Sequence, residues 1–160
     1  MPAERRVLAA LGPKVLRLAA ERAAGAHPYL TTPEHTRRAR ETLGPGPLLA
    51  PEQKVVVDGD PRRARALGRE GIAYYLGLGN YVANLKRLGF TDADVTGEGS
   101  DALVDGLVAH GKPAAVAARL TAHLDAGADH VAVQVLTGSG GDPRPALRAI
   151  AEAAAPTPPR

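Results

Sequence analysis

The sequence predicts an α/β protein built from parallel strand–helix units, and three observations support this prediction. Short apolar runs alternate with longer segments of helical periodicity, four times along the 160 residues. The apolar runs are nearly continuous, as in parallel strands that are buried on both faces. Gly and Pro stand at the junctions, where they end strands and open helices. A chain of this length forms one domain with a sizeable core.

The strands are predicted from the apolar runs and the helices from the residues that follow them. The predicted strands cover residues 7–10, 26–29, 54–57 and 130–136. Helices are predicted to begin at Pro13, Pro33, Pro61, Pro113 and about Pro145. Proline suits the first helical position because its missing N–H needs no partner there. Between residues 72 and 111 lies a longer stretch with helical segments and a loop rich in Gly, Asp and Thr.

The periodicity does not decide how these strands are arranged. Parallel strands joined by helices form either an open, doubly wound sheet or a closed barrel. Four strands are too few for a barrel, which has eight. In both architectures, ligands bind at the carboxyl ends of the strands. Candidate sites are therefore sought immediately after each predicted strand.

Composition excludes several classes of protein. Aromatic residues make up 3% of the chain and the net charge is only +3, without a cluster of one sign, so we expect no nucleic-acid partner. There is no Cys, which excludes disulfides and thiolate metal sites. No run reaches the roughly 18 apolar residues of a membrane span, and the N-terminus lacks a signal-peptide core. We therefore expect a cytoplasmic protein without a membrane partner.

The first candidate site is the turn Leu11-Gly12-Pro13-Lys14, directly after the first strand. Glycine allows an anion to approach the backbone, and the following helix presents free N–H groups at its positive end. Lys14 adds a full charge. These features would suit a phosphate, but Gly-Pro also ends many strands without binding anything. On the local sequence alone, the plain turn is the better interpretation.

Three further places follow strands. His27 and Tyr29 end the second strand, with His35 in the next helix; a histidine there could transfer protons, although a hydrogen-bonded structural role is more common. Asp58 and Asp60 could bind a cation, but Asp before Pro is better interpreted as a helix cap. The segment TGSGGDP at 137–143 matches no phosphate-loop pattern and is interpreted as a flexible connection. No metal-binding spacing or nucleophile elbow is present.

Longer motifs carry a resemblance to a known family. In order along the chain stand ALGP, GAHPY, TPEHT, LLAPEQ, YLGLGNYVANLKRLGF and AGADHVAVQVL. Together they resemble the second half of luciferase-like flavin- and coenzyme F420-dependent oxidoreductases, and most closely the F420-dependent branch. The resemblance runs from about residue 5 to residue 154.

The resemblance implies a fold and a set of sites. The family folds as a TIM (β/α)8 barrel, so residues 1–154 would supply strands five to eight, a half-barrel, with residues 72–111 as the insertion after strand seven. Residues 155–160 would form a disordered tail. Leu11, Gly12, Pro13 and Lys14 would hold the phosphate-bearing tail of coenzyme F420, or alternatively of FMN, and His27 and Tyr29 would lie in the substrate pocket.

The implied activity is hydride transfer between the deazaflavin F420 and an organic substrate, impaired in this chain because strands one to four are missing. The alternatives are an FMN-dependent monooxygenase of the same family and a non-catalytic half-barrel remnant with a binding or structural role. A half-barrel would leave strand edges unpaired and would expose an apolar inner face. We therefore expect a homo-oligomer, or a partner that supplies the missing half.

Overall fold

The computed structural model describes residues 2–155, in which parallel strands alternate with helices. The strands are β1 (Val7–Leu8), β2 (Gly25–Ala26), β3 (Leu48–Leu49), β4 (Glu52–Val57), β5 (Val108–Gly111) and β6 (Ala132–Val135). A 3-10 turn at Ala3–Arg5 precedes the helices, which are α1 (Pro13–Arg22), α2 (Pro33–Leu43), α3 (Pro61–Leu76), α4 (Gly79–Arg87), α5 (Asp92–Val95), α6 (Asp101–Leu107), α7 (Pro113–Asp125) and α8 (Arg144–Ala154).

The helix starts that were predicted from the positions of the prolines are confirmed. The side chain of Thr32 accepts a hydrogen bond from the backbone N–H of His35 (3.3 Å) and so caps α2. Asp60 caps α3, because its carboxylate accepts from the N–H groups of Arg62 (2.8 Å) and Arg63 (3.3 Å). Side-chain caps of this kind satisfy N–H groups that have no partner inside the helix.

The sheet arrangement differs from the prediction of four successive strands. Two three-stranded parallel sheets form, in the orders β1-β2-β3 and β5-β4-β6. The third predicted strand begins earlier than expected, at Leu48, and it is interrupted before Glu52. Strand β5 was not predicted, and it lies inside the stretch assigned to an insertion. Of the predicted strand at 26–29, only Ala26 lies in β2, which begins one residue earlier at Gly25.

The segment from Leu48 to Val57 joins the two sheets. Its N-terminal part bonds to β2 and the residues around it. The acceptors are the carbonyl oxygens of Ala24, Ala26 and Pro28, and the donors are the N–H groups of Leu48, Ala50 and Glu52, respectively. Further along the segment, β4 pairs with β5 in the register Lys54↔Val108 and with β6 in the register Lys54↔Gln134. Along one edge, the segment therefore pairs first with β2 and then with β5, while β6 pairs with the opposite edge.

The core lies on both faces of β4. On one face, Val55 packs with Ala109, Val116 of α7 and Ile150 of α8. On the other, Val56 packs in a larger cluster with residues of α3, α4 and α6 that includes Ala64, Ile72, Leu85, Leu103 and Val104. A third cluster joins β2 and β3 to α1 and α2. Helices therefore cover both faces of the β5-β4-β6 sheet, and no closed barrel is formed by the described residues.

The face called the inner face hereafter is the one that carries Val7, Gly25, Leu48 and Val56. Across β1-β2-β3, Val7 is 46% exposed and Leu48 is 38% exposed, whereas Val56 in β4 is 1% exposed. The expected apolar patch is therefore confined to the β1–β3 end, and the expectation is wrong over β4 because α3 to α6 fold over that part. Helix α1 also exposes Val15 and Leu18.

Two predictions about the chain ends and the membrane have different outcomes. The predicted tail at 155–160 lies outside the described residues, apart from Ala155, which caps α8. Among the helices of residues 2–155, none combines the length and the apolar character that crossing a membrane requires.

Candidate functional site

The inner face carries a polar cluster, here called the inner-face cluster, at the junction of the two sheets. It consists of His27, Tyr29, Glu52, Lys54 and Gln134. Side chains alternate across a strand, so Glu52 and Lys54 share a face, and the register places Gln134 beside Lys54. His27 and Tyr29 follow β2 with the same alternation, and their ring centroids are 6.4 Å apart.

Lys54 is the centre of the inner-face cluster and is 1% exposed. Its ammonium group donates to the Tyr29 hydroxyl (2.7 Å), to Oε1 of Gln134 (2.6 Å) and to Oε1 of Glu52 (3.2 Å). It also lies 4.2 Å from the centroid of the Tyr29 ring. An ammonium has three donors, and all three are used. Lys54 therefore organises the cluster and has no N–H left for a ligand.

Burial changes the acid–base properties of the inner-face cluster. Burial raises the pKa of Glu52 above its usual value, although the ammonium of Lys54 acts in the opposite direction. Burial also raises the pKa of Tyr29. The Tyr29 hydroxyl, together with burial, raises the pKa of neighbouring Tyr75 to about 12. The tyrosines are therefore neutral at physiological pH and act as hydrogen-bonding groups.

His27 is the member of the cluster with a ring nitrogen to spare. Its Nδ1 lies 2.6 Å from the carbonyl oxygen of Ala50, which can only accept, so Nδ1 carries the proton. Within residues 2–155, Nε2 has no hydrogen-bond partner. A neutral imidazole of this tautomer offers a lone pair on Nε2, which can accept a proton or a hydrogen bond.

The predicted Leu11–Lys14 turn shares no residue with the inner-face cluster, although β1, which it follows, accepts a hydrogen bond from the His27 N–H at the Leu8 carbonyl (2.8 Å). Gly12 caps α1 in an extended conformation (φ −90°), and a Cβ there would lie 3.7 Å from a guanidinium nitrogen of Arg87. The conformation therefore does not require glycine. The N–H groups of Val15 and Leu16 donate to the Gly12 carbonyl. Pro13 has no backbone N–H to offer a ligand. Lys14 is exposed to solvent.

Two residues of this turn, Leu11 and Pro13, line a cavity of about 190 Å³, here called the α1–α2 pocket. The pocket lies between α1 and α2 and is closed by the end of α4. The remaining lining residues are Leu16, His35, Arg38, Thr42, Asn84, Arg87 and Leu88. The structure therefore brings half of the predicted turn together with two arginines, a histidine and an asparagine from elsewhere in the sequence, and it leaves Lys14 outside.

A more open groove of about 420 Å³ lies at the carboxyl ends of β4 and β6. Its two carboxylates are already paired, because Asp58 accepts from Arg63 (2.7 and 2.9 Å) and Asp142 from Arg144 (2.9 and 3.1 Å). These arginines hold the pKa of both carboxyls below the usual range. Within residues 2–155, no group of three or more metal-binding side chains comes together.

Sequence reasoning missed Glu52, Lys54 and Gln134 in the inner-face cluster, and Asn84 and Arg87 in the α1–α2 pocket. A signal for the first group was present, since KVVV places a lysine in a strand that was predicted to be buried. A buried charge requires a partner, and this could have marked the position. No local signal marks Asn84, because its role depends on α4 folding back onto α1.

Comparisons with known proteins give matches among solved structures alone. No protein-family model and no curated protein matches the chain. An F420-dependent secondary alcohol dehydrogenase in complex with an F420–acetone adduct matches with a TM-score of 0.64 at 12% identity, over 92% of this chain and 47% of its own.

Two other solved structures match over a similar extent. The coenzyme F420-dependent tetrahydromethanopterin reductase from Methanopyrus kandleri has a TM-score of 0.59 at 18% identity, and apo-MsnO8 has a TM-score of 0.61 at 20% identity. Each match covers 92% of this chain and 49% of the other protein. The chain therefore spans about half the length of these proteins. The resemblance to luciferase-like, F420-dependent oxidoreductases is confirmed as a likeness of fold.

Proposed function

We propose that this chain is part of an oxidoreductase of the luciferase-like fold, which transfers hydride between coenzyme F420 and a small organic substrate. The observation that carries the proposal is the likeness of fold to two F420-dependent enzymes over 92% of the chain. The sequence motifs point to the same family independently. Residues 72–111 would then be the family's insertion, which the end of α3, helices α4 to α6 and strand β5 largely fill.

The described residues fit an anionic part of such a cofactor better than they fit its ring. The rim of the α1–α2 pocket carries Arg38 and Arg87, and no carboxylate lines it, so this region suits the negatively charged tail. The inner-face cluster, by contrast, fills the space beside β4 with mutually bonded side chains. When bound, the deazaflavin would supply the carbon that accepts or donates hydride.

The chain's own residues would orient a substrate at the inner face. His27 offers the free lone pair of Nε2, which can hold the proton of a substrate hydroxyl. Lys54 fixes the Tyr29 hydroxyl, and Tyr29 in turn donates to Gln134 (2.6 Å). Gln134 is exposed, so this end of the cluster is open to solvent and to any segment that pairs with β6.

A second candidate function is a non-catalytic half-barrel with a binding or structural role. The observation in its favour is that all three donors of Lys54 are used within the chain, as expected of a structural cluster. FMN remains the alternative cofactor to F420.

Cofactor binding and turnover by the purified chain distinguish these functions. We expect F420 to bind weakly and no hydride transfer to follow, because about half of the neighbours' length has no counterpart here. Binding is measured by fluorescence titration and turnover by the absorbance of F420. Robust turnover would contradict the proposed impairment. Failure of a folded chain to bind either F420 or FMN would overturn the oxidoreductase proposal.

Matched variants test where the cofactor and the substrate lie. Arg87→Glu is expected to weaken binding of the cofactor tail at least tenfold, because Arg87 lines the α1–α2 pocket, whereas Arg17→Glu, on the exposed face of α1, is the control. Tyr29→Phe removes one hydroxyl from the inner face, and Tyr74→Phe changes a tyrosine that is 73% exposed. Equal effects within either pair would refute the placement.

Assembly follows from the same proposal. The outer edges of β1 and β6 have no strand partner among residues 2–155, and Val7, Val15 and Leu18 lie exposed beside the first of them. Unpaired edges with neighbouring apolar side chains favour association. We expect a dimer or larger assembly at micromolar concentration in sedimentation velocity. A monodisperse monomer with cooperative unfolding would contradict this expectation.

A further inference from the structure

Two of the residues that line the α1–α2 pocket each have a buried polar atom without a hydrogen-bond partner among residues 2–155. His35 and Asn84 are 4% and 3% exposed, and both line the cavity. Within residues 2–155, Nδ1 of His35 and Nδ2 of Asn84 have no hydrogen-bond partner. More than nine in ten buried polar groups in proteins are satisfied, and an unsatisfied one destabilises the folded state. Two such atoms beside one cavity indicate that a ligand completes the site.

The hydrogen bonds around these atoms define what the ligand must offer. Nε2 of His35 lies 2.8 Å from the carbonyl oxygen of Leu11, so Nε2 carries the proton. Burial lowers the pKa of His35, which keeps the ring neutral. Nδ1 is therefore an acceptor and requires a donor from the ligand.

Asn84 sets the complementary requirement. Its Oδ1 lies 3.4 Å from a guanidinium nitrogen of Arg87, which can only donate, so the amide nitrogen Nδ2 is the atom without a partner. Nδ2 is a donor and requires an acceptor. The ligand must therefore donate one hydrogen bond and accept at least one other within the same small volume.

The charge of the lining indicates an anion. Arg38 and Arg87 are the charged residues that line the pocket, and both are positive. Arg38 donates to Glu34 (2.7 Å) and to the backbone carbonyl of Arg87 (2.8 Å). Within residues 2–155, the Arg87 guanidinium has one hydrogen bond, its long contact to Asn84 (3.4 Å). The positive end of α1 begins at Pro13, in the same lining. A guanidinium with free N–H groups binds oxyanions strongly.

We propose that the α1–α2 pocket binds a small oxyanion that carries its own proton donor, namely phosphate or the terminal group of a phosphate monoester. Its P–OH donates to Nδ1 of His35, and its unprotonated oxygens accept from Nδ2 of Asn84 and from Arg87. The cavity of about 190 Å³ has room for this group. The inference rests on the pocket's own atoms and holds whether or not the chain transfers hydride.

Phosphate and sulfate provide a matched pair of probes. They have nearly the same size, but at neutral pH sulfate has no proton to donate. The assay follows the ring nitrogens of His35 in ¹⁵N-labelled protein by NMR while each anion is added. We expect phosphate to shift the Nδ1 signal of His35, leave that of His123 unchanged, and bind at least about tenfold more tightly than sulfate, because sulfate leaves a buried acceptor unsatisfied.

Variants separate the contributions of the lining residues. Asn84→Leu and Arg87→Gln should each weaken phosphate binding about tenfold or more, while Arg17→Gln on the exposed face of α1 should not. In His35→Gln, the amide N–H can still donate to Leu11 but no acceptor occupies the place of Nδ1. This variant should lose the preference for phosphate over sulfate. Circular dichroism confirms that each variant is folded.

The source of the phosphate group is identified by competition. FMN ends in a phosphate monoester and riboflavin lacks it. If FMN displaces phosphate and riboflavin does not, the pocket holds a cofactor tail; if neither does, it holds free phosphate or a smaller ester. Either result supports the proposed chemistry. No shift of His35 at about 10 mM phosphate, tenfold above a Kd of 1 mM, would overturn it, as would equal binding of sulfate.

Discussion

Replacing Lys54 by Met tests the energetic role of the inner-face cluster. The substitution keeps the volume of the side chain and removes its charge. Glu52, which is 4% exposed, then has a carboxylate without its cationic partner. The Tyr29 hydroxyl and Oε1 of Gln134 also lose the hydrogen bonds that Lys54 donates to them. Breaking a buried ion pair on one side destabilises a protein by about 3–5 kcal/mol.

The size of the effect can be derived for Glu52 itself. Instead of remaining charged, the stranded carboxyl can take up a proton. From its ordinary pKa of 4.5, protonation at pH 7 costs about 3.4 kcal/mol, at 1.36 kcal/mol for each pH unit. The loss for Lys54→Met at pH 7 should therefore be about 3–4 kcal/mol, with a further contribution from the hydrogen bonds that Tyr29 and Gln134 lose.

The same argument gives a pH dependence. In the variant, burial raises the folded-state pKa of Glu52 and Lys54 no longer opposes it. The stability that this group contributes is then complete below its unfolded pKa and is lost as the pH rises through its folded pKa. Between pH 7 and pH 5, the defect of Lys54→Met should shrink by up to about 2.7 kcal/mol, two units at 1.36 kcal/mol each.

Urea denaturation followed by circular dichroism measures these differences. Lys86→Met is the matched control, since Lys86 pairs with Asp92 at the surface and should change stability by less than about 1 kcal/mol. The double variant Glu52→Gln with Lys54→Met should recover most of the loss, because no buried charge remains. If Lys54→Met lowers the free energy of unfolding by less than about 1 kcal/mol and leaves the m value of urea denaturation unchanged, the reasoning is refuted.

Two further predictions concern stability. Gly25→Ala should destabilise the protein by about 1–3 kcal/mol or more, because the new Cβ would lie 2.1 Å from the carbonyl oxygen of Leu48. Gly46→Ala is the control, since a Cβ at Gly46 would have no heavy atom within 4 Å. Similar melting temperatures for the two variants would contradict the β2–β3 packing. Burial lowers the pKa of His123 from 6.5 to about 4, so its stabilising contribution is complete above pH 6.5 and lost as the pH falls towards 4, by about 3 kcal/mol. His123→Gln should flatten this part of the stability curve, and an unchanged curve would show that His123 does not titrate in this way.

The candidate sites were partly predictable from sequence. The rule that ligands bind after parallel strands selected Leu11, Pro13, His27 and Tyr29, and each lies in a pocket or a polar cluster of the structure. The rule could not show that the two pairs belong to separate places. Lys14 was selected for its charge, yet its side chain is exposed and does not line the α1–α2 pocket.

The sequence by itself determined the starts of five helices and the alternation of parallel strands with helices. Helix starts depend on a few neighbouring residues, such as Thr32 before Pro33 or Asp60 before Pro61, and these contacts form wherever the helix later packs. Apolar runs likewise mark buried strands without reference to distant parts of the chain.

Only the tertiary structure decided which strands pair and which side chains meet. Val108–Gly111 is a strand because the free edge of β4 lies beside it, and nothing within four residues specifies that edge. His35 and Asn84 are 49 positions apart, and Lys54 and Gln134 are 80 apart. Such contacts depend on how the whole chain folds back on itself, so their energies appear in the packed protein and leave no local pattern in the sequence.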